Sequence, residues 1–259
     1  MKRQIKNVIE SIGSEVQEIF VVDDCCPDGT ANYVRTEVND PRVTIIQHEV
    51  NLGVGGAVIT GYRAALASGS EVIVKIDGDG QMDPSLISKF IEPIVKHSAD
   101  YSKGTRFFFL DTLEKMPKLR LFGNAVLSFV NKVSSGYWNI MDPTNGYTAI
   151  HRSCLEMLPL DKIANRYFFE SDMLFRLGTL RAVVVDIPMK AKYEDEESSL
   201  SVSKVAFEFP LLYIKCFFKR VFYNYFLRDF NGASLELLLG TILILSGGIW
   251  GGISLSLIH

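Results

Sequence analysis

With 259 residues, 27 Lys and Arg against 30 Asp and Glu, and a formal net charge of −3, the chain is long enough for one sizeable α/β domain with an appendage. Both signs of charge are spread along it, which gives no basis for a nucleic-acid partner. Four cysteines, Cys25, Cys26, Cys154 and Cys216, show neither metal spacing nor a disulfide framework and suit a reducing compartment.

The opening MKRQIKNVIESI is charged and lacks the apolar core of a secretory signal. Ile5, Val8, Ile9 and Ile12 recur at helical spacing and predict an amphipathic first helix. Ile19 to Val22 predicts a buried strand ending in Asp23-Asp24, then a turn with Pro27 and Gly29, with Asp28 or Thr30 placed to cap the next helix. Val43 to Ile46 is a second strand, Asn51 to Gly56 a glycine-rich loop, and Ala57 to Ala67 a helix of small residues stopping at Gly69. Val72, Ile73, Val74 and Ile76 make a strand buried on both faces. A helix with proline in its first turn follows, from Pro84 to about His97. Asp100 to Thr105, Tyr147 to Ile150 and Ala182 to Ile187 read as further strands, and Lys118 to Ser135 as a longer helix. This alternation predicts a largely parallel sheet with right-handed crossovers.

The third strand ends in Asp77-Gly78-Asp79-Gly80. Ligands of open α/β sheets sit at the carboxyl ends of strands, and two carboxylates there repel unless a cation joins them. Hard oxygen donors suit Mg²⁺ or Mn²⁺, ions that bind substrate phosphates as well. Taken alone, the same Asp-x-Asp is equally a solvated acidic turn. An EF-hand is excluded, because Met82 and Ser88 stand where its Gly and its bidentate Glu belong. Asp23 and Asp24 at a neighbouring strand end extend the acidic rim in a way that suits a nucleotide. Gly53-x-Gly55 lacks the third glycine of a dinucleotide site, Val58 being there instead. The loop reads rather as a helix start closely approaching a backbone or a phosphate. After the next strand, Arg106 is placed to hold a phosphate bidentately. Asp142 to Gly146 is a turn by composition, and Glu170 and Asp172 are acids at a helix start.

Glu194 to Ser203 is polar and reads as a loop. Val205 to Phe230 is aromatic and basic, as in helices lying in a membrane interface. From Leu237 to Ile258 no residue is charged, enough for a membrane-spanning helix that looks cut short at His259. Lys204, Lys215, Lys219, Arg220 and Arg228 ahead of it predict a cytoplasmic domain. Gly247, Gly248, Gly251 and Gly252 give small-residue pairs suited to helix association, hence a possible homo-oligomer. The organisation expected is a domain over 1–200, juxtamembrane helices over 201–234 and a span over 235–259.

In order, VVDDCCPDGT, NLGVGGAVITGY, DGDGQMDPS, KGTRF, DPTNGYTA and the ESD helix resemble the family 2 glycosyltransferases. The resemblance is closer to the branch of dolichyl-phosphate mannose synthases and bacterial polyisoprenyl-phosphate glycosyltransferases. It implies a GT-A fold, Rossmann-like with a mostly parallel sheet, followed by interfacial helices and a C-terminal transmembrane helix. It further implies an inverting transfer from a UDP- or GDP-sugar to a polyprenyl phosphate. Asp77, Asp79 and Gln81 would then hold Mg²⁺ or Mn²⁺, Asp23 and Asp24 would line the nucleotide pocket, and Gly53 would shape the phosphate-side loop. Arg106 and the loop of Asp142, Thr144 and Asn145 would face the acceptor. Asp172, or Glu170, falls where hydroxyl-acceptor relatives carry their base; catalytic roles would rest on Asp79, Arg106 and Asp172. A lipid phosphate is already ionised at neutral pH, so for that acceptor the acid would orient rather than deprotonate. The family also has a preceding first strand with a Pro-x-Tyr-Asn-Glu-like loop, whereas this chain opens at the following helix. The expectation is a gap in the sheet or a rearranged edge. Alternatives are a family 2 transferase acting on a glycan hydroxyl, a non-catalytic membrane scaffold, and a dinucleotide-dependent oxidoreductase.

Overall fold

The structure, a computed structural model, describes residues 2–108, 118–190 and 202–256. In chain order its elements are α1 (Lys2–Glu10), β1 (Ile19–Asp23), α2 (Thr30–Glu37), β2 (Val43–Gln47), α3 (Val54–Ser68) and β3 (Val72–Lys75). A short 3₁₀ turn, Pro84–Leu86, leads into α4 (Ile87–Val95), followed by β4 (Tyr101–Thr105), α5 (Lys118–Ser135), β5 (Thr148–His151) and α6 (Arg152–Glu156). The chain continues through α7 (Phe169–Leu180), β6 (Val184–Pro188), α8 (Val202–Phe222) and α9 (Gly232–Ser256).

The strands form a mixed arrangement. β1 pairs with β2 in parallel, while the other four lie in the order β3-β5-β4-β6, with β4 and β6 parallel and β5 antiparallel to both of its neighbours. Alternation along each strand sends side chains to two apolar layers. On one face Ile73, Tyr101, Ile150 and Val184 pack under α3 and α7 through Tyr62 and Leu174. On the other, Tyr147 and Ala149 pack against Ile9, Val34 and Phe90 of the helices α1, α2 and α4. There Phe90 and Tyr147 stack with ring centroids 3.9 Å apart.

Between β1 and β3 the sheet is interrupted. No ladder joins them, and a cavity of about 1010 Å³ separates Phe20 and Val22 from Ile73 and Lys75, with Val58 and Tyr62 of α3 along it. The cavity reaches Asp77 and Gly78 at the strand ends.

Three boundaries differ from the sequence reading. α3 begins at Val54 and takes Gly55 and Gly56 into its first turn. A Cβ on Gly55 would collide with the Ala164 carbonyl, and one on Gly53 (φ 91°) would lie 2.6 Å from the Asn165 oxygen. The glycines therefore admit a backbone, with Gly56 N–H donating to Asn165 O at 3.0 Å. α8 runs unbroken through Pro210, then one π turn at Tyr223–Arg228 precedes α9, which starts ahead of the expected Leu237. The polar Glu194 to Ser203 segment lies largely outside the described residues; Val202 and Ser203 open α8.

α8 packs back on the domain. Tyr213 and Cys216 are buried against Phe168 and Phe175 of the α7 region, and the Tyr213 hydroxyl lies 2.7 Å from Ser171 Oγ. Leu211, Ile214, Phe218 and Phe222 remain exposed, as do Phe122, Val126 and Phe129 of α5. In α9, Gly232–Ser254 is a 23-residue stretch of mean hydropathy 1.8 with none of its apolar window buried. That is long enough to cross a ~30 Å hydrocarbon layer.

Candidate active site

The aspartates ending β1 are engaged with their own chain. Asp23 is buried, accepting the Cys26 and Ala31 N–H groups at 2.7 Å each. It thereby ties the turn to the start of α2, the capping work expected of Asp28 or Thr30. The Thr30 hydroxyl instead meets Cys26 Sγ at 3.2 Å. Asp24 accepts Leu52 N–H at 2.8 Å and Gly53 N–H at 2.7 Å. Its Oδ1 is also 2.7 Å from His48 Nδ1, whose Nε2 lies 2.9 Å from Thr60 Oγ1. Burial pushes the Asp24 carboxyl up, but the bonds from His48, Leu52 and Gly53 outweigh it and hold the group below its usual value. Asp24, Asn51, Gly53 and Arg166 line a cleft of about 120 Å³ at the start of α3. Asp24 thus shapes the phosphate-side loop that the resemblance assigned to Gly53.

At the end of β3 the carboxylates meet a buried cation. The Lys75 side chain is 8% exposed, and its Nζ lies 2.7 Å from Asp77 Oδ1. Asp79 Oδ1 accepts Gln81 N–H at 2.9 Å across the Gly80 turn (φ 80°), and Met82 anchors the turn in the core. Asp77, Asp79 and Gln81 put hard oxygen donors within one turn, a set that fits Mg²⁺ or Mn²⁺. Among the described residues no group of three or more His, Cys, Asp and Glu could hold a metal. Such an ion here would draw its remaining ligands from a diphosphate and water.

The Asp142 to Gly146 loop is fastened beneath this turn. Asp142 is fully buried and forks with Arg106, at 2.7 Å to Nε and 3.0 Å to Nη2. Burial raises that carboxyl, and Arg106 and then Lys103 more than compensate, leaving it low. Thr144 Oγ1 is 3.5 Å from Arg106 Nη2. Buried Asn145 accepts Tyr147 N–H at 2.9 Å, and its carbonyl accepts from Lys103 Nζ. Asp142 and Asn145 therefore support the loop, and Arg106 is bound to it. Lys103, wholly buried, has its ammonium pushed down to about 8 by burial. Asp186, opposite Lys103 in the ladder, accepts Met141 N–H at 2.7 Å, and burial pushes it up to about 6.

The two acids at the start of α7 separate. Asp172 accepts Ala164 N–H at 2.8 Å and pairs with Arg176 at 3.1 Å, bracing the loop ahead of its own helix. Glu170 answers instead to the charges of the strand residues. Burial raises its carboxyl, and the charges of Lys75 and Lys103 oppose that rise. The structure thus brings Asp77, Asp79 and Gln81 to one turn beside Lys75, leaves Glu170 in the field of Lys75 and Lys103, and turns Asp172 to the Ala164 loop.

Lys75, Lys103, His48 and Arg166 escaped the sequence reading. Lys75 was findable, since period-two alternation puts it on the face of Asp77, and it is the only charge in its strand. Lys103 needed the register, in which Thr148 pairs with both lysines.

A mixed α/β fold with this strand-end rim defines a glycosyltransferase of the GT-A kind. Glucosyl-3-phosphoglycerate synthase from Mycobacterium tuberculosis, in complex with UDP, shares the fold at a TM-score of 0.59 and 18% identity, over 85% of this chain and 76% of that one. The same synthase with Mn²⁺, UDP-glucose and phosphoglyceric acid also gives 0.59. The chain belongs to glycosyl transferase family 2, whose model matches residues 2–158. It is 30% identical over 226 residues to a UDP-N-acetylglucosamine–dolichyl-phosphate N-acetylglucosaminyltransferase of Methanococcus voltae, covering 82% of this chain and 89% of that protein. It is 32% identical over 174 residues to the undecaprenyl-phosphate mannosyltransferase of Micrococcus luteus, covering 66% and 70%.

Proposed function

We propose that this chain transfers a sugar from a UDP- or GDP-sugar to a polyprenyl phosphate at the cytoplasmic face of a membrane, with Mg²⁺ or Mn²⁺ held by Asp77, Asp79 and Gln81. The observation that carries the reading is the pairing of that carboxylate turn with the exposed apolar helix α9 in one chain. A soluble acceptor needs no such helix. The exposed apolar residues of α5 and α8 support a lipid surface close to the domain, and the relatives named as dolichyl- and undecaprenyl-phosphate transferases support the acceptor class.

The cation, when bound, offsets charge on the leaving diphosphate. The chain's own residues do the rest. Asp24 and the Leu52 and Gly53 amides fix the loop at the start of α3 for the nucleotide side. The Arg106–Asp142 fork holds the loop that faces the acceptor. An ionised phosphate attacks without a base, so Glu170 positions the acceptor. A hydroxyl acceptor is the second reading, favoured by the raised Glu170 carboxyl, which would suit a general base. On α9, Gly247, Gly248, Gly251 and Gly252 have open space beside them, room for the same helix of a second copy.

The test is transfer of labelled sugar from UDP- and GDP-sugars into vesicles containing polyprenyl phosphate, with Mn²⁺ and then with EDTA. The expected result is a solvent-extractable, phosphate-linked product that EDTA abolishes. Product formed only on a glycan hydroxyl, and lost in Glu170→Gln, would establish the second reading instead.

A further inference from the structure

Two lysine heads are buried side by side behind the carboxylate rim, an expensive arrangement that needs a reason. Lys75 closes β3 and Lys103 lies within β4, and both stand opposite Thr148 of the intervening β5, so all three share one face of the sheet. Lys103 has a fixed neutral acceptor, the Asn145 carbonyl. Lys75 instead makes an ion pair, with Asp77 at 2.7 Å. Gly146 makes room for that pair. A Cβ there would collide with Lys75 Nζ and stand 3.0 Å from Asp77 Oδ2. From the first turn of α7, Glu170 acts on Lys75 through its charge, at longer range than the Asp77 ion pair. Lys75 is therefore paired with one carboxylate, the first residue of the proposed metal-binding turn, and lies in the field of a second.

Resting on the reading of that turn as a divalent-cation site, we propose that Lys75 is a resident counter-ion that changes partners. In the empty site it neutralises Asp77. When a cation arrives with a nucleotide diphosphate, Lys75 releases Asp77 and is compensated by Glu170. Two physical points support the exchange. A buried ammonium cannot be left without an anion, so its release from Asp77 requires a second carboxylate within reach. An ammonium on Asp77 also lowers the attraction of the turn for a bare cation, whereas the diphosphate adds the negative charge that restores it. Lys75 is thus a positioning residue that makes metal binding conditional on the nucleotide, sparing the turn from occupation by free divalent ions.

This role and a purely structural one predict opposite signs. A mere prop for Asp77, once removed, leaves the carboxylate less well placed and weakens metal binding. A competitor, once removed, strengthens it. The experiment is Mn²⁺ binding to the detergent-solubilised full chain, followed by paramagnetic resonance of free Mn²⁺, with and without UDP or GDP. Parent, Lys75→Met and Glu170→Gln are compared after their thermal unfolding has been recorded. Lys75→Met is expected to bind Mn²⁺ alone about tenfold more tightly than the parent, which equals ~1.4 kcal/mol. Glu170→Gln, nearly isosteric and checked by the same unfolding record, is expected to lose at least about threefold in Mn²⁺ affinity measured with nucleotide. Equal or weaker Mn²⁺ binding by folded Lys75→Met overturns the exchange, as does parent-like binding by Glu170→Gln should the lysine variant fail to fold. Loss of nucleotide-dependent Mn²⁺ binding from the parent itself would sink the site reading, and the exchange with it.

Discussion

The two sides of the cavity that divides the sheet use their carboxylates differently. On the β1–β2 side, Asp23 and Asp24 are satisfied by backbone amides of the loops they shape, and His48 adds a further bond to Asp24. On the β3–β5–β4–β6 side, Asp77 is paired with the buried Lys75 ammonium two residues before Asp79, and Glu170 answers to the charges of Lys75 and Lys103. Carboxylates answered by backbone amides build geometry. A carboxylate answered by a cation is one that a divalent ion would have to claim from it, and the proposed chemistry rests on carboxylates of that kind. Both kinds look alike in the sequence, as acids after a strand.

The largest effect that could break this contrast belongs to the chemical side. Asp79→Ala is expected to lower sugar transfer by about 10²–10³-fold while leaving the melting temperature within a few degrees, read by activity and calorimetric unfolding. Parent-like transfer would remove the turn from the site. Next comes Asp142→Ala, which takes the buried partner from Arg106 and is expected to cost about 3 kcal/mol in urea unfolding. Asp24→Ala should cost less, about 1–2 kcal/mol, because it releases two amides and His48 at a half-buried position. Since the folded Asp24 carboxyl lies below its usual value of 3.8, that loss should be complete at neutral pH and shrink as the pH falls below about 4.

The smallest effect is a pH dependence with the opposite sign. Asp186 titrates near 6 in the folded chain against 3.8 ordinarily, so the native state holds its proton more tightly and loses stability as pH rises through that window. Asp186→Asn keeps an acceptor for Met141 N–H and removes the titration. Relative to the parent it should gain on the order of 1 kcal/mol between pH 4 and 7, ~2–4 °C in melting temperature, after allowance for partial exposure.

Much of the fold was legible in the sequence, for identifiable reasons. The strands at Ile19, Val43 and Val72 are short β-branched or apolar runs closed by turn residues; each appears within a residue or two of its expected place, as does the more polar Tyr101–Thr105. The order of the motifs carried the family. What could not be read was pairing. The antiparallel course of β5 depends on how the chain returns after α5, and the ladder that sets Lys75, Thr148 and Lys103 in one row exists only once the register is known. The direction in which each acid points was equally hidden. Glu170 and Asp172 are two residues apart on one helix, yet one feels the charges of the two buried lysines and the other braces the Ala164 loop. Asn51 to Gly56 was read as a close approach to a phosphate or a backbone. At Gly53 and Gly55 it is a backbone, that of residues 164–166.

The central claim is that the turn at the end of β3 binds a nucleotide-diphospho-sugar through a divalent cation. Calorimetric titration of the detergent-solubilised chain with UDP- and GDP-sugars, first with Mn²⁺ and then with EDTA, tests it most directly. The account predicts binding of one of the two nucleotides that requires Mn²⁺ and disappears in Asp79→Ala. Binding that persists in EDTA, or no binding of either nucleotide by the folded chain, would contradict it.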